Sequence, residues 1–352
     1  MVETNENWHD EMKTGLVYSK KYLEHDLGPG HPEKPARLRS IMDSLKKDEE
    51  LLKKVEIFDP TPATVDDIEL AHDCKYVKEI ERLSEEEEMV DLDTPVRSNT
   101  YELALLAAGG TIDLSQKTAD KKFKNGFALV RPPGHHATKN EGGGFCYFNN
   151  IAIAARKLLK REEINKVMIF DIDAHHGNGT QDIFFGDSDV LYLSFHQSGK
   201  TIYPGTGSPS EIGSGEGKGY TVNVPFPVGS TDENYAEALK EIMIPISKQF
   251  NPDIFMVSTG LDAHSKDPLT KLKLSSDGYA MLAKTAISQA KELSAGKINF
   301  VLEGGYSIVE ASSSAIKIIE KLTEARSSSI PKGEPCEIFE VVKDNLSPYW
   351  TL

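Results

Sequence analysis

The chain has 352 residues, of which 39% are hydrophobic and 27% charged, and its formal net charge is −15 at pH 7. This composition argues against wholesale disorder, and the negative charge argues against a nucleic-acid partner bound through its phosphates. The sequence contains no apolar run of about 18 residues, its start MVETNENWHDEMK is polar, and its three cysteines lie far apart. We therefore expect a soluble cytoplasmic protein without a membrane partner or a disulfide framework.

Short apolar runs, rich in β-branched or aromatic residues, stop abruptly at polar and glycine residues. Near-continuous apolarity over about five residues is typical of a strand that is covered on both faces. The pattern predicts five strands, which begin at Gly126, Val167, Val190, Ile254 and Ile298.

Between these strands lie segments with helical periodicity. They predict helices that begin near Asn149, Asp232, Ser275 and Ser307. Strands alternating with helices indicate a parallel sheet with crossover helices on both sides. Since no linker or repeat interrupts residues 14 to 325, we expect one domain with a core over 15–322 and a C-terminal extension over 323–352. The tail EARSSSIPKGEPCEIF predicts a surface loop leading to a short terminal segment.

Every unusual polar cluster begins where a predicted strand ends. In open parallel sheets, ligands bind beyond the carboxyl ends of the strands, so these clusters should meet at one edge of the sheet. A further acidic run, SEEEEMVDLD at residues 84–93, is typical of a solvated face, although it could also form a rim for positively charged substrates.

The sequence DIDAH predicts a metal site. Asp173 and His175 are two residues apart, which places both side chains on the same side of an extended strand end. Asp262, in STGLDAH, occupies the matching place after another strand. Two carboxylates and one imidazole suit a borderline divalent ion with open coordination positions, as a catalytic site requires, and their two negative charges would neutralise an ion such as Zn²⁺.

Two other clusters suggest groups that act beside the metal. In RPPGHH, prolines and a glycine stiffen the chain before His135 and His136, and a histidine near a metal-held water can act as base and then as acid. In LEGGYS, Gly304 and Gly305 let the backbone approach a ligand closely, and Tyr306 can donate its phenol proton to a carbonyl oxygen.

The motifs GPGHPEKPARL, RPPGHH, GGGFCYFNN, DIDAHHGNGTQDIF, SFH, YPGTG, GLDAH and EGGY, in this order, resemble the zinc-dependent histone deacetylase superfamily. The resemblance runs from about residue 15 to about residue 322. The superfamily also includes prokaryotic deacetylases, acetoin-utilisation proteins and acetylpolyamine amidohydrolases. It implies an arginase-like, three-layer α/β fold with an eight-stranded, mainly parallel sheet flanked by helices.

The resemblance also implies a role for each cluster. The three metal-ligand candidates would hold one zinc ion, and His136 would be the general base that later protonates the leaving amine. His135, oriented by Asp171, would be its electrostatic partner, and Tyr306 would stabilise the oxyanion. Asn178 stands where class I members have an aspartate, so the chain resembles class II, and a neutral amide there should leave His136 more readily available as a base.

Potassium sites are a further implication of the resemblance. The first would use Asp171 and Ser194 together with the main-chain carbonyls of Asp173, His175 and Phe195. The second would use Phe184, Asp187, Val190 and Tyr220. Oxygen-only ligation is what a hard cation prefers.

For the substrate, the resemblance implies a narrow channel. Phe145 and Tyr203 would be its aromatic walls, which bury a lysine-like methylene chain, with Gly144 beside them. Asp93 would be the rim carboxylate that binds the substrate backbone, with Asp91 as the alternative.

Substrate identity depends on Leu269. Polyamine-specific members carry a glutamate at this place, so the resemblance favours acylated lysine in proteins or peptides, with an acetylpolyamine or another acylated amine as the alternative. An arginase-like dimanganese hydrolase would need two acid-rich metal motifs, and a metal-free reader of acyl-lysine would keep the channel without the chemistry. The oligomeric state stays open.

Overall fold

The computed structural model describes residues 12–324 and 330–352. In chain order the strands of these residues are β1 (Thr14–Val17), β2 (Val55–Phe58), β3 (Met89–Asp91), β4 (Thr94–Pro95), β5 (Gly126–Ala128), β6 (Val167–Asp171), β7 (Val190–Gln197), β8 (Thr221–Phe226), β9 (Ile254–Thr259) and β10 (Ile298–Leu302). Eight of them form one sheet in the order β2-β1-β5-β10-β9-β6-β7-β8, and every neighbouring pair is parallel. β3 and β4 form a separate antiparallel hairpin.

Helices flank this sheet as two packed groups. They are α1 (Ala36–Lys47), α2 (Glu49–Lys53), α3 (Val65–Ile68), α4 (Cys74–Glu86), α5 (Thr100–Ala119), α6 (Asn150–Leu158), α7 (Asn178–Phe184), α8 (Asp232–Ala238), α9 (Ile244–Phe250), α10 (Ser276–Leu293), α11 (Ile308–Thr323) and α12 (Glu337–Leu346). α4, α5, α6 and α7 pack together, while α11 packs between α1 and α10. The eight-stranded sheet flanked by helices confirms the predicted fold class.

The central strands are buried on both faces, which explains their continuous apolar sequences. Every residue of β6, β7, β9 and β10 is buried, as expected for a parallel sheet between two helical layers. All five strands predicted from the sequence are present. None of the helices in the described residues is long and apolar enough to cross a membrane.

One predicted helix is interrupted. The helical segment that begins at Asp232 runs through α8, a π-helical turn over Leu239–Met243, and α9. Pro245 lies in the first turn of α9. Proline has no N–H to donate and its ring clashes with the carbonyl four residues earlier, so the regular α-helical hydrogen bonding is broken there.

The C-terminal segment covers the edge of the sheet at β8. α12 packs against β8, and Phe339, Val342 and Leu346 are buried. Trp350 Nε1 donates a 2.7 Å hydrogen bond to the carbonyl of Gly219. The loop predicted before this helix falls partly on residues 325–329, which lie outside the described residues.

The order of the strands brings the polar clusters together. β5, β10, β9, β6 and β7 are consecutive neighbours in the sheet, and the candidate clusters follow the carboxyl ends of these five strands. Because the strands are all parallel, the segments after them meet at one edge, as the sequence predicts.

Candidate metal centre and active site

Asp173, His175 and Asp262 form a compact cluster. The first two follow β6, and Asp262 follows the neighbouring β9. One ligand atom from each residue lies within 4.8 Å of the others, and His175 Nδ1 is 2.9 Å from Asp262 Oδ2 and 3.2 Å from Asp173 Oδ1. Such proximity of two carboxylates and one imidazole is the donor set of a divalent transition-metal site.

Backbone amides orient both carboxylates. Asp173 Oδ1 accepts a 2.8 Å hydrogen bond from the N–H of His175, and Asp262 Oδ1 accepts one of the same length from Ala174. The N–H of Gly304, after β10, donates to Asp173 Oδ2 at 2.9 Å. These bonds leave the carboxylates little freedom to turn away from each other.

Electrostatics also favour a cation at this point. Burial and the negative charge of Asp173 raise the pKa of Asp262 to about 7. Holding two buried carboxylates together is therefore unfavourable unless a positive charge lies between them. The residues present fit a bound Zn²⁺, which removes this repulsion and leaves a nearly neutral cage.

Gly304 is required by the crowding at the cluster. A Cβ atom at this position would lie 2.6 Å from Asp173 Oδ2 and 2.6 Å from Asp262 Oδ2. Any side chain would push the two carboxylates out of place. The backbone of the LEGGYS segment therefore reaches the metal cluster, as the glycines predict.

His135 and His136 lie side by side at the same edge, with ring centroids 4.0 Å apart. Their Nδ1 atoms have different partners. His135 Nδ1 is 3.2 Å from Asp171 Oδ2, whereas His136 Nδ1 is 2.8 Å from Asn178 Oδ1. The predicted pairing of His135 with Asp171 and of His136 with Asn178 is thus present in the geometry.

These environments separate the pKa values of the two rings. Burial would lower the pKa of His135, but the negative charges of Asp173 and Asp171 outweigh it and raise this pKa to about 10. Burial, together with the charges of His135 and His175, lowers the pKa of His136 well below its usual value. A cation held by Asp173 would offset part of the negative charge that acts on His135.

Tyr306 lies beside the cluster and is fixed from two directions. Asp267 Oδ2 accepts hydrogen bonds from the N–H groups of Tyr306, at 2.7 Å, and Ser307, at 3.2 Å. On the other side, the Arg37 guanidinium lies 5.0 Å from the Tyr306 ring centroid and donates to the Gly305 carbonyl at 2.6 Å. Asp267 had no predicted role.

A buried acid also positions the histidine loop. Glu303 Oε2 accepts from the N–H groups of Gly134 and His135 at 2.7 and 3.2 Å, and Glu303 Oε1 accepts from the Ser258 hydroxyl at 3.0 Å. Glu303 therefore ties the loop after β5 to the ends of β10 and β9. Its place in the quoted EGGY motif was the only sequence signal for it.

A second buried network supports the same loops. Glu33 accepts two hydrogen bonds from Arg131, at 2.5 and 2.6 Å, and one from Arg37 at 2.9 Å. All three side chains are buried. Burial would raise the pKa of Glu33, but the charge and hydrogen bonds of Arg131, with the charge of Arg37, lower it to about 2.

The two predicted channel walls lie next to the candidate catalytic side chains. The Tyr203 ring centroid is 5.0 Å from that of His136, and the Phe145 ring centroid is 5.8 Å from that of Tyr306. Phe145 has a φ of +70°, and Thr94 Oγ1 accepts its N–H at 3.1 Å. A Cβ atom at Gly144 would lie 2.5 Å from the ring of His136, so glycine is needed beside this histidine.

At the rim, the two candidate carboxylates are neighbours: Asp91 Oδ1 accepts the N–H of Asp93 at 3.1 Å, and burial together with the carboxyl of Asp91 raises the pKa of Asp93. A Cβ atom at Gly143 would lie 2.9 Å from Asp91 Oδ2 and 3.1 Å from the Tyr203 hydroxyl. Asp93 instead interacts with the Thr94 hydroxyl, and its carbonyl lies 3.1 Å from His31 Nε2. Asp91 therefore lies at the glycine loop beside Tyr203.

Leu269 lies close to Tyr306. Its N–H donates to Asp267 Oδ1 at 2.9 Å, and the other oxygen of the same carboxylate accepts the N–H of Tyr306. The Leu269 side chain is 41% exposed. It presents an apolar surface, not a carboxylate, next to the candidate site.

The residues predicted for potassium binding lie on β6 and β7 and in the segments that adjoin β6, β7 and β8. Asp171 and Ser194 are paired neighbours on β6 and β7, and Phe195 follows on β7. For the second set, the Asp187 N–H donates to the Phe184 carbonyl at 3.0 Å, and β7 begins at Val190. The Tyr220 carbonyl accepts the N–H of Tyr192 at 2.9 Å. Both sets offer oxygen atoms.

Comparisons with known proteins agree with this geometry. A family model described as the histone deacetylase domain matches residues 31–322. A probable deacetylase of Archaeoglobus fulgidus is 42% identical over 84% of this chain and 82% of its own length, and the chloroplastic histone deacetylase 10 of Oryza sativa subsp. japonica is 39% identical over 88% and 73%. The crystal structure of the HDA15 HD domain superposes with a TM-score of 0.87 at 34% identity, covering 96% of this chain and 95% of that one. On this agreement of sequence and fold, the chain belongs to the histone deacetylase family.

Proposed function

We propose that the protein is a zinc-dependent amidohydrolase that removes acetyl or other acyl groups from lysine side chains of proteins or peptides. The observation that supports it most directly is the cluster of Asp173, His175 and Asp262 at the sheet edge, with His136 beside it and Tyr306 two residues after Gly304, whose N–H donates to Asp173. A zinc ion in this cluster would act as a Lewis acid toward the acyl carbonyl and lower the pKa of a bound water.

The side chains around the cluster would carry the proton transfers. His136, kept neutral by burial and by the positive charges near it, accepts a proton from the attacking water and returns it to the leaving amine. Asn178 Oδ1 accepts the Nδ1–H of His136, which leaves Nε2 free to act as the base. The Tyr306 hydroxyl donates to the carbonyl oxygen as negative charge develops on it.

The channel would select a long, apolar side chain. Phe145 and Tyr203 bury its methylene groups, and Leu269 offers no carboxylate to the second ammonium of a polyamine. We therefore favour acyl-lysine over an acetylpolyamine. Asp91 or Asp93 would bind the backbone of the substrate at the rim.

Other features belong to the same proposal. One domain with a core over residues 15–322, a class II character based on Asn178, and one or two potassium ions at the oxygen-rich sites all remain predictions. A cytoplasmic location is also a prediction from the sequence, and two of the similar plant proteins carry chloroplastic names.

A substrate panel tests this function. Acetyl-lysine peptides, longer acyl-lysine peptides and acetylpolyamines are assayed with the wild type, Tyr306→Phe and the control Tyr203→Phe. We expect turnover of the lysine peptides to fall by about 10²-fold or more in Tyr306→Phe, as on removal of an oxyanion donor. Tyr203→Phe should keep its turnover because only its ring is used. Near-normal rates for Tyr306→Phe, or a clear preference for acetylpolyamines, would contradict the proposal.

A further inference from the structure

A groove lies beside the mouth of the proposed channel, between α4 and the β3–β4 hairpin. Its volume is about 610 Å³. Aromatic and aliphatic side chains such as Tyr76 and Val90 line part of it, and Tyr203, a wall of the proposed channel, borders it as well. The groove is thus continuous with the rim at which a substrate would enter.

The wall between the groove and the catalytic side chains is one glycine loop. A Cβ atom at Gly142 would lie 2.6 Å from the Tyr76 hydroxyl and 3.2 Å from Val90, on the groove side. A Cβ atom at Gly144, two residues on, would lie 2.5 Å from the ring of His136. The loop from Gly142 to Gly144 therefore contacts the lining of the groove at one end and the candidate general base at the other.

The lining of the groove is negatively charged. It is lined by one guanidinium, that of Arg82, and by four carboxylates, those of Glu79, Glu88, Asp91 and Glu141. Arg82 is held by Glu79, Glu88 and also Glu86. Asp91 and Glu141 form no ion pair with a cation of the described residues. The groove therefore keeps a surplus of negative charge at the rim.

We propose that this groove binds a basic side chain next to the acyl-lysine of a peptide substrate, so that the enzyme prefers lysine- or arginine-flanked sites. The inference rests on the proposed function. The glycine loop blocks a direct path from the metal cluster to the groove, so its occupant has to pass over the rim. A neighbouring residue on a peptide does so when the acyl-lysine enters between Phe145 and Tyr203.

Charge complementarity favours a basic occupant. Opposite charges across an open groove act mainly on selectivity and on the rate of association, and salt screens them. The apolar part of the lining can bury the methylene groups of lysine or arginine while the charged end reaches a carboxylate.

The test compares two acetyl-lysine peptides of equal length, one with arginines and one with glutamines around the acetyl-lysine. A third substrate is an acetyl-lysine blocked at both ends, which is too short to reach the groove. The groove variant is Glu88→Gln/Glu141→Gln, and the control variant, Glu49→Gln/Glu216→Gln, removes two exposed carboxylates outside the groove.

For the wild type we expect kcat/KM to be roughly tenfold higher for the arginine peptide at low salt, and this ratio to fall as salt is added. The groove variant should lose most of its preference for the arginine peptide and keep its activity on the blocked acetyl-lysine. The control variant should keep both the preference and the activity. An unchanged ratio in the groove variant would overturn the assignment. An acetylpolyamine is assayed beside them, and a loss of activity in the groove variant that is confined to this substrate would also overturn the assignment, because it would make a free polyamine the occupant. Failure of the wild type to hydrolyse any of the three substrates would instead overturn the deacetylase proposal itself.

Discussion

At the residue scale, two adjacent histidines differ in their pKa because different charges and different Nδ1 partners surround them. His135 faces the carboxylate of Asp171, whereas His136 faces the amide of Asn178. The negative charges of Asp173 and Asp171 outweigh burial and raise the pKa of His135, whereas burial and the charges of His135 and His175 lower the pKa of His136, which has only the neutral Asn178 as its partner. One ring can therefore stay charged while the other is neutral and able to accept a proton.

The substitution Asn178→Asp tests whether a neutral partner at position 178 keeps His136 available as the base. A carboxylate at 178 raises the pKa of His136, so the base is protonated up to a higher pH and activity is lost there. We expect the acidic limb of the kcat/KM profile to move to higher pH by about one unit. Asn251→Asp, at the exposed end of α9, adds the same charge away from the site and should leave the profile in place. An unshifted limb in Asn178→Asp would argue against His136 as the base.

The candidate catalytic and metal-binding residues could be predicted from the sequence because each lies in a short, unusual motif. Asp173, His175, Asp262, the histidine pair and Tyr306 all lie where the motifs indicated. Their supports could not be predicted. Asp267 acts through its position beside the N–H of Tyr306, 39 residues away, and Glu33 through arginines up to 98 residues away. Such pairings follow from the fold and leave no local pattern.

At the element scale, the Glu33 network ties together three loops that end at the site. Arg131 begins the loop after β5 and donates to the carbonyls of Tyr22 and His25. Arg37, in α1, donates to the carbonyls of Glu303 and Gly305 after β10. One buried carboxylate thus holds two arginines that fix the histidine loop and the tyrosine loop.

The substitution Glu33→Gln should therefore destabilise the protein. It leaves two buried guanidinium groups without their counter-ion, and removal of one partner from a buried ion pair costs about 3–5 kcal/mol. We expect this loss in the free energy of unfolding, measured by urea denaturation at pH 7. Glu50→Gln, which removes an exposed pair with Lys53, serves as the control and should give no measurable change.

The effect should also depend on pH. The pKa of Glu33 is lowered to about 2 in the folded protein, against about 4.3 for an unperturbed glutamate. Its contribution to stability is therefore complete above the unfolded value and is lost as pH falls toward 2. The difference in free energy of unfolding between the wild type and Glu33→Gln should therefore become smaller over that pH range. A difference in free energy of unfolding that is small at pH 7, or that stays the same in acid, would contradict the role of the network.

The elements themselves were predictable to different degrees. The central strands carry continuous apolar runs because both faces are covered, and all five were predicted. β2 lies at an edge of the sheet with two of its four residues exposed, and VEIF is too short and too mixed to stand out. The π-helical turn before Pro245 has no separate signal, since the apolar periodicity of α8 continues through it.

At the scale of the whole molecule, the topology turns scattered motifs into one site. The candidate residues between His135 and Tyr306 follow five neighbouring parallel strands. Residues that are far apart in the sequence therefore lie close together at the sheet edge. The same convergence places several buried carboxylates close together, which is unfavourable without a cation. Metal binding should therefore stabilise the fold as well as supply the chemistry, because the folded state alone presents the complete site.

The most direct test of the account is an anomalous difference map at the zinc edge, from crystals of the wild type and of Asp262→Asn grown with equimolar zinc. We expect one strong peak per chain in the wild type, between Asp173, His175 and Asp262, and its loss or marked weakening in the variant. A wild-type map without a peak at that point, or with zinc bound elsewhere while the three side chains turn apart, would contradict the proposed metal-dependent hydrolase.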